Sequence, residues 1–398
     1  MKDRIPPSLV PVIQRLVWLP YLVVYRLVGL LQPLRPGFVF LCTRTAALHD
    51  NMLEIRRALD DFVSVREFYV KRWSTPWARM VGRFRLVCAM ATTEYTLMDD
   101  LYALIYALRL RPGTRLIQVW HALGAMKKMG FSRLGLIGGP VQTSLTHRNY
   151  TDVIVSSDQM RSHYSEAFGV PLSAVHATGV PRTDLFFDEG RLAEVRQDMY
   201  LQYPMMEGKR IILFAPTFRS RPDDSVYYPT EHVNLEILGE SLEPKDLLII
   251  RMHPFVKDSL KIPEAYREQI LDMGDYPEFN HLLVLADLLV TDYSSAIFDY
   301  ALLNRPVVFF VPDLGDYDGA RGFYYPFEFY TYGPVVSNLS GLVEAIRTPV
   351  VNEDLREQFC VRFLNQCDGK ATQRFLDRVM GEAGDACLST HVTHQGLL

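Results

Sequence analysis

From Gly37 onward the chain alternates between two textures. Short uninterrupted apolar runs (GFVFLC, RLIQVW, DVIVSS, RIILFAP, DLLIIRMHP, LLVTD, PVVFFVP) are separated by stretches such as NMLEIRRALDDF, the capped DQMRSHYSEAFG and RLAEVRQDMYL, whose apolar positions return every three or four residues. The first texture predicts strands buried on both faces and the second predicts helices. Alternation of the two predicts parallel sheets covered by helices. The runs form two series that break near RLAEVRQDMYL and the turn YPMMEGK, about residues 195–209. Two doubly wound α/β domains are therefore expected, at 36–205 and 206–385, after a segment 1–35 and before a frayed tail 386–398 that holds His391 and His394. No fixed-period repeat or low-complexity tract interrupts them.

The segment 1–35 needs its own reading. LVWLPYLVVYRLVGLL (Leu16–Leu31) is apolar but contains Pro20 and Arg26, and it is shorter than the ~20 residues that span a bilayer. No small-residue cleavage site follows it, as a secretory signal would require. The expectation is an amphipathic helix in the membrane interface, with Trp18, Tyr21 and Tyr25 at headgroup depth. VKRWSTPWARMVGRFRLV (Val70–Val87) is a second interfacial candidate. Packing of both stretches on the protein body is the plain alternative, and a transmembrane anchor is a further one.

Charge sharpens that picture. The net charge is −4, which argues against a nucleic-acid partner, but residues 1–85 carry 14 Lys and Arg against 6 Asp and Glu. A basic front end on an acidic body suits an anionic membrane surface. The five scattered cysteines include no CxxC pair, which indicates a reduced, cytosolic chain without a structural zinc. The adjacent acids Asp99-Asp100 and Asp223-Asp224 follow no evident strand, so no metal is expected. GxxxxGK and GxGxxG are absent, so neither is an ATP or dinucleotide cofactor.

In open α/β sheets, ligands bind beyond the carboxyl ends of the strands. Those ends deliver His121, then Pro181-Arg182-Thr183-Asp184, then Pro216-Thr217-Phe218-Arg219, then Arg251 and His253-Pro254, and finally Asp292 with Ser294 and Ser295. Basic and hydroxyl groups recur at one rim, as a phosphate-rich ligand requires. Ser294 and Ser295 begin a helix whose unpaired N–H groups suit a phosphate, although Ser294 could equally serve as a simple cap.

The ordered set VWHALGAMKKMGFS, TGVPRTD, ILFAPTFR, RMHP and TDYSSAIFDYALLNRPVVFF followed by RGFYY resembles the CDP-glycerol glycerophosphotransferases of teichoic acid synthesis, and DGKATQRFLDRV extends the likeness to about residue 378. The resemblance implies a GT-B-like fold with two Rossmann-like domains and an interdomain cleft. It also implies a peripheral location on the cytoplasmic face of the cell membrane. The reaction implied is transfer of glycerol phosphate from CDP-glycerol to a hydroxyl of a lipid-linked disaccharide or polymer acceptor, with release of CMP. CDP-ribitol as donor, a nucleotide-sugar glycosyltransferase and a silent membrane scaffold are the competing readings.

Such a transfer needs a base, cationic groups on the phosphates and positioning. His121 is the expected base and His253 the group that stabilises the leaving phosphate. Arg182, Pro216, Thr217, Arg219, Arg251, Asp292, Ser294, Ser295, Asp299 and Arg321 are the expected donor-binding residues, and Lys127 and Lys128 the acceptor-binding pair. Alternatives remain: Arg219 could pair with Asp223 or Asp224, Arg182 with Asp184, and Asp299 could lie on a solvated helix face. Ala122 stands where many family members place glycine, which bears on donor preference.

Overall fold

The apolar runs become strands of two parallel sheets. In the computed structural model, which describes residues 6–136, 139–221, 225–253, 255–256 and 260–381, contacts divide the chain into Met1–Asp184 with Asn365–Leu398, and Leu185–Leu364. The first unit contains α1 (Val10–Leu31), β1 (Arg35–Cys42), α2 (Asp50–Ala58), β2 (Val65–Tyr69), α3 (Pro76–Thr92), β3 (Thr93–Met98), α4 (Ala103–Ala107), β4 (Arg115–Gln118), β5 (Asp152–Ile154), α5 (Arg161–Phe168) and β6 (Val175–His176). Its strands run parallel in the order β2-β1-β3-β4-β5-β6. The last six residues of β1 are all buried, which is why that run reads as continuous apolar sequence. Met52 and Ile55 of α2 pack on Phe38, Phe40, Leu97 and Ile117 together with Phe375 and Leu376 from the far end of the chain.

The second unit contains α6 (Glu189–Gln202), β7 (Arg210–Phe214), the hairpin β8 (Arg219–Ser220) and β9 (Val226–Tyr227), α7 (Leu235–Ser241), β10 (Asp246–Ile250), β11 (Ile270–Asp272), α8 (Phe279–Leu285), β12 (Leu288–Thr291), α9 (Ala296–Ala301), β13 (Val307–Phe310), α10 (Leu314–Arg321), β14 (Val335–Val336), α11 (Leu339–Arg347) and α12 (Glu353–Phe363). Its parallel order is β11-β10-β7-β12-β13-β14, the dinucleotide-fold arrangement with its topological switch between β7 and β12. Leu238 of α7 and Leu342 and Ile346 of α11 cover one face, against Ile212, Phe214, Leu248, Ile250, Val290 and Phe310.

The division of the chain differs from the break expected at 205. Residues 185–205 go with the second unit, where Tyr203 meets Tyr276. Helix α13 (Ala371–Met380) returns to the first, where Asp184 accepts the N–H groups of Ala371 (2.9 Å) and Thr372 (2.8 Å) and so caps it. An amphipathic pattern identifies the apolar side of a helix, not the sheet that covers it. Asp184 is therefore a cap, not the partner of Arg182. The tail beyond 381 lies outside the described residues.

Helix α1 is longer than its apolar core suggested. It has 22 residues, runs through Pro20, and is by length and composition alone long and apolar enough to cross a membrane. It packs on α3: Tyr21 lies 4.5 Å from Phe84, and the Tyr25 hydroxyl accepts the Arg111 N–H. The two tyrosines are thus buried in protein, not placed at headgroup depth as expected. Alongside Arg15 and Arg26, α1 exposes a run of aliphatic side chains, with Leu16, Val17, Leu30 and Leu31 all more than half exposed.

Candidate active site

In the first unit the site is built on the ends of β3 and β4. Trp120 adopts φ +50, a left-handed conformation that a bulky side chain rarely takes, and delivers His121 stacked on its own indole at 4.5 Å. His121 Nδ1 lies 3.3 Å from the Asp99 carbonyl and 3.5 Å from the Asp100 carboxylate. Two acceptors at Nδ1 assign the ring proton there in the neutral form and leave the basic lone pair on Nε2. Burial raises the carboxyls of both acids, and the Thr43 N–H and hydroxyl, at 3.0 and 2.9 Å from Asp99, partly offset this. Asp99-Asp100 does follow a strand, β3. The run TEYTLM is its signal in the sequence, and the strand carries at its end the acid that faces His121.

The peptide around His121 is held from three sides. Gln118 Oε1 accepts the Trp120 N–H at 2.9 Å, Asn51 Nδ2 donates to the Val119 and Trp120 carbonyls at 3.1 and 2.9 Å, and Arg182 Nη1 donates to the His121 carbonyl at 2.6 Å. Arg182 is buried here, so part of its guanidinium serves this loop. Lys127 and Lys128 are half-buried in the same loop. Ala122 shows no positive φ; the left-handed positions nearby are Trp120 and Gly124 (φ +61), so alanine is unstrained.

In the second unit the switch point is closed by ion pairs. Asp292, after β12, accepts the N–H of Thr217 at 2.7 Å and of Tyr293 at 2.6 Å, and pairs with Arg219 at 3.0 Å. Arg219 directs its Nε and Nη2 to Asp313 at 2.6 and 2.9 Å and lies over the rings of Tyr293 and Tyr317 at 4.8 Å. Burial works against the Asp313 carboxylate, but the Arg219 and Tyr293 hydrogen bonds hold its pKa below the ordinary range. The planar fork expected to grip phosphate thus grips two carboxylates. Asp223 and Asp224, its expected alternatives, lie outside the described residues.

His253 stands beyond β10, edge-on to Phe218 (4.6 Å) and Phe255 (4.8 Å), with Nδ1 accepting the Phe255 N–H at 3.2 Å. Its neutral ring therefore carries the proton on Nε2, the opposite tautomer to His121. Arg251 donates to the carbonyls of Met252 and Tyr276, at 3.0 and 3.1 Å, and of Gly274, and burial lowers its pKa. Its guanidinium braces the loop after β11. Ser294 Oγ accepts the Ala296 N–H at 3.3 Å just before α9, whose N-cap position is the half-buried Ser295. Asp299 is buried, not on a solvated face, as are Pro216 and Thr217. The side chain of Arg321 at the end of α10, and Pro254, lie outside the described residues. Among the described residues, no group of three or more His, Cys, Asp or Glu could hold a metal ion.

A family model described as CDP-Glycerol:Poly(glycerophosphate) glycerophosphotransferase matches residues 28–381. The chain is 42% identical over 290 residues to the teichoic acid poly(ribitol-phosphate) polymerase of Bacillus spizizenii, covering 73% of this chain and 47% of the relative. It is 32% identical over 367 residues to the teichoic acid ribitol-phosphate primase of that organism, covering 89% and 93%. The chain spans about half the length of the ribitol-phosphate polymerases it matches. Its fold matches the wall teichoic acid polymerase TagF with a TM-score of 0.72 and 21% identity, over 94% of this chain and 95% of that one. The shared architecture is GT-B-like.

Proposed function

Because the chain belongs to the CDP-glycerol:poly(glycerophosphate) glycerophosphotransferase family, we propose that it transfers a polyol phosphate from a CDP-polyol to an acceptor hydroxyl in teichoic acid synthesis. Relatives at 42% and 32% identity are ribitol-phosphate enzymes, which favours CDP-ribitol over the CDP-glycerol expected from the motifs. A TagF structure obtained with CDPG supports a CDP-polyol as the donor class. The observation that carries the reaction is His121 with both acceptors on Nδ1.

In this reading Nε2 of His121 takes the proton of the acceptor hydroxyl, whose oxygen attacks the polyol-bearing phosphorus. The bond from that phosphorus to the bridging oxygen breaks, and CMP leaves with the oxygen. Asp100 stabilises the imidazolium. The Nε2–H of His253 donates to the departing phosphate, and Ser294, Ser295 and the backbone near Thr217 are proposed to hold the donor. Lys127 and Lys128 are proposed to meet the pyrophosphate of a lipid-linked acceptor, with the aliphatic face of α1 on the cytoplasmic surface of the membrane.

The test is CMP release from CDP-ribitol and CDP-glycerol in parallel, with a lipid-linked acceptor analogue. Release from CDP-ribitol that falls by about 10³-fold in His121→Asn, with CDP binding kept, is the expected result. Release from CDP-glycerol alone would reverse the donor assignment, and undiminished turnover in His121→Asn would remove it as the base.

A further inference from the structure

We propose that Asn51 is the positioning residue for His121, a role that rests on His121 being the base. Trp120 at φ +50 is a strained conformation that persists only where its surroundings over-determine it. Both polar groups of the Trp120 peptide are fixed by buried carboxamides: its N–H by Gln118 Oε1 at 2.9 Å, and its C=O by Asn51 Nδ2 at 2.9 Å. Gln118 lies on β4 itself and moves with the loop it serves. Asn51 comes from the first turn of α2, whose Met52 and Ile55 are locked in the core, so it refers the loop to a separate rigid element.

Its remaining bonds extend the same clamp. The second Nδ2 hydrogen reaches the Val119 carbonyl at 3.1 Å, and Oδ1 accepts the Arg182 N–H at 3.0 Å. Arg182 in turn closes on the His121 carbonyl at 2.6 Å. One side chain, 2% exposed, thus fixes the backbone before His121 and anchors the residue that fixes the backbone after it. Aspartate at this position keeps the shape and the acceptor for Arg182 but turns both donors into an anion facing two carbonyl oxygens. Serine keeps one short hydroxyl and reaches neither carbonyl as the amide does. Either change frees Trp120 to relax from the left-handed region, carrying the His121 ring with it.

The experiment measures Asn51→Asp and Asn51→Ser in the full chain by CMP release, by CDP binding and by histidine-selective carbon-13 NMR, with the His121 signal identified by its loss in His121→Asn. Both variants are expected to lower kcat by about 100-fold, the loss that follows from a 1 Å misplacement. KM for the CDP-polyol and CDP affinity stay within about twofold, and the His121 resonance shifts or broadens. An unmoved resonance with normal kcat would overturn the proposal. So would a loss of CDP affinity and thermal stability in both variants that matches the loss of kcat, since Asn51 would then be merely structural. If the unaltered protein releases no CMP from either donor, the functional reading fails, and the resonance still decides whether Asn51 sets the His121 ring.

Discussion

His147 and His121 show how one residue type acquires opposite fates from its surroundings. His147 is stacked on Phe168 at 4.4 Å, flanked by Tyr106, Trp120 and Tyr150, and burial pushes its pKa down to about 3. His121 keeps 29% of its side chain exposed and faces a carboxylate. Both are loop histidines in the sequence, and only His121 stands at the end of a strand, where a base was expected. The depressed pKa of His147 has a direct consequence. The unfolded chain binds its proton near pH 6.5 and the folded one only near pH 3. Its contribution is complete above about pH 6.5 and is lost as pH falls toward 3. In denaturant titrations, His147→Asn, which tolerates the left-handed φ of +64 there, is expected to be less stable at pH 7 but to lose less stability between pH 6.5 and 4.5.

At the scale of elements, the two sheets share one device at their switch points. Asp99 after β3 takes the N–H of Thr43 after β1, and Asp292 after β12 takes the N–H of Thr217 after β7. An aspartate thus bridges the strand pair where the chain order reverses and leaves an otherwise splayed crevice with fixed walls. In the second sheet the bridge is also an ion pair, buried with Arg219. Removing one partner of a buried pair costs about 3–5 kcal/mol. Asp292→Asn, which sets an amide against the guanidinium, is therefore expected to lower the unfolding free energy from urea titrations by an amount of that order. A change within experimental error would mean that Thr217 and Tyr293, not the charge, hold the crevice. The serine-rich start of α9 was legible as a helix entry. The carboxylate destinations of Arg219 were not, because Asp292 and Asp313 lie 73 and 94 residues away in sequence.

For the whole molecule, the uneven charge and the bare aliphatic face of α1 belong together. A helix whose aromatic side is consumed by α3 and whose other side exposes Leu16, Val17, Leu27 and Leu30 has an unmet hydrophobic surface beside the basic residues 1–85. Serine at those four positions is expected to reduce sedimentation with anionic vesicles by at least about tenfold, with binding by the unaltered chain falling as salt rises. Unchanged sedimentation would remove α1 as the membrane contact. The sequence by itself determined the α/β class, the doubled parallel sheets and the strand-end positions of His121, His253 and Asp292. Strand burial and strand ends are local properties, written in runs of apolar residues and the polar groups that stop them. The tertiary structure alone decided that α13 belongs to the first sheet, that Asp100 faces His121, that Asn51 and Arg182 brace it, and that Arg219 and Arg251 serve carboxylates and carbonyls. Those partnerships join residues far apart in the chain, and a side chain's hydrogen-bonding capacity does not record which acceptor the fold will bring to it.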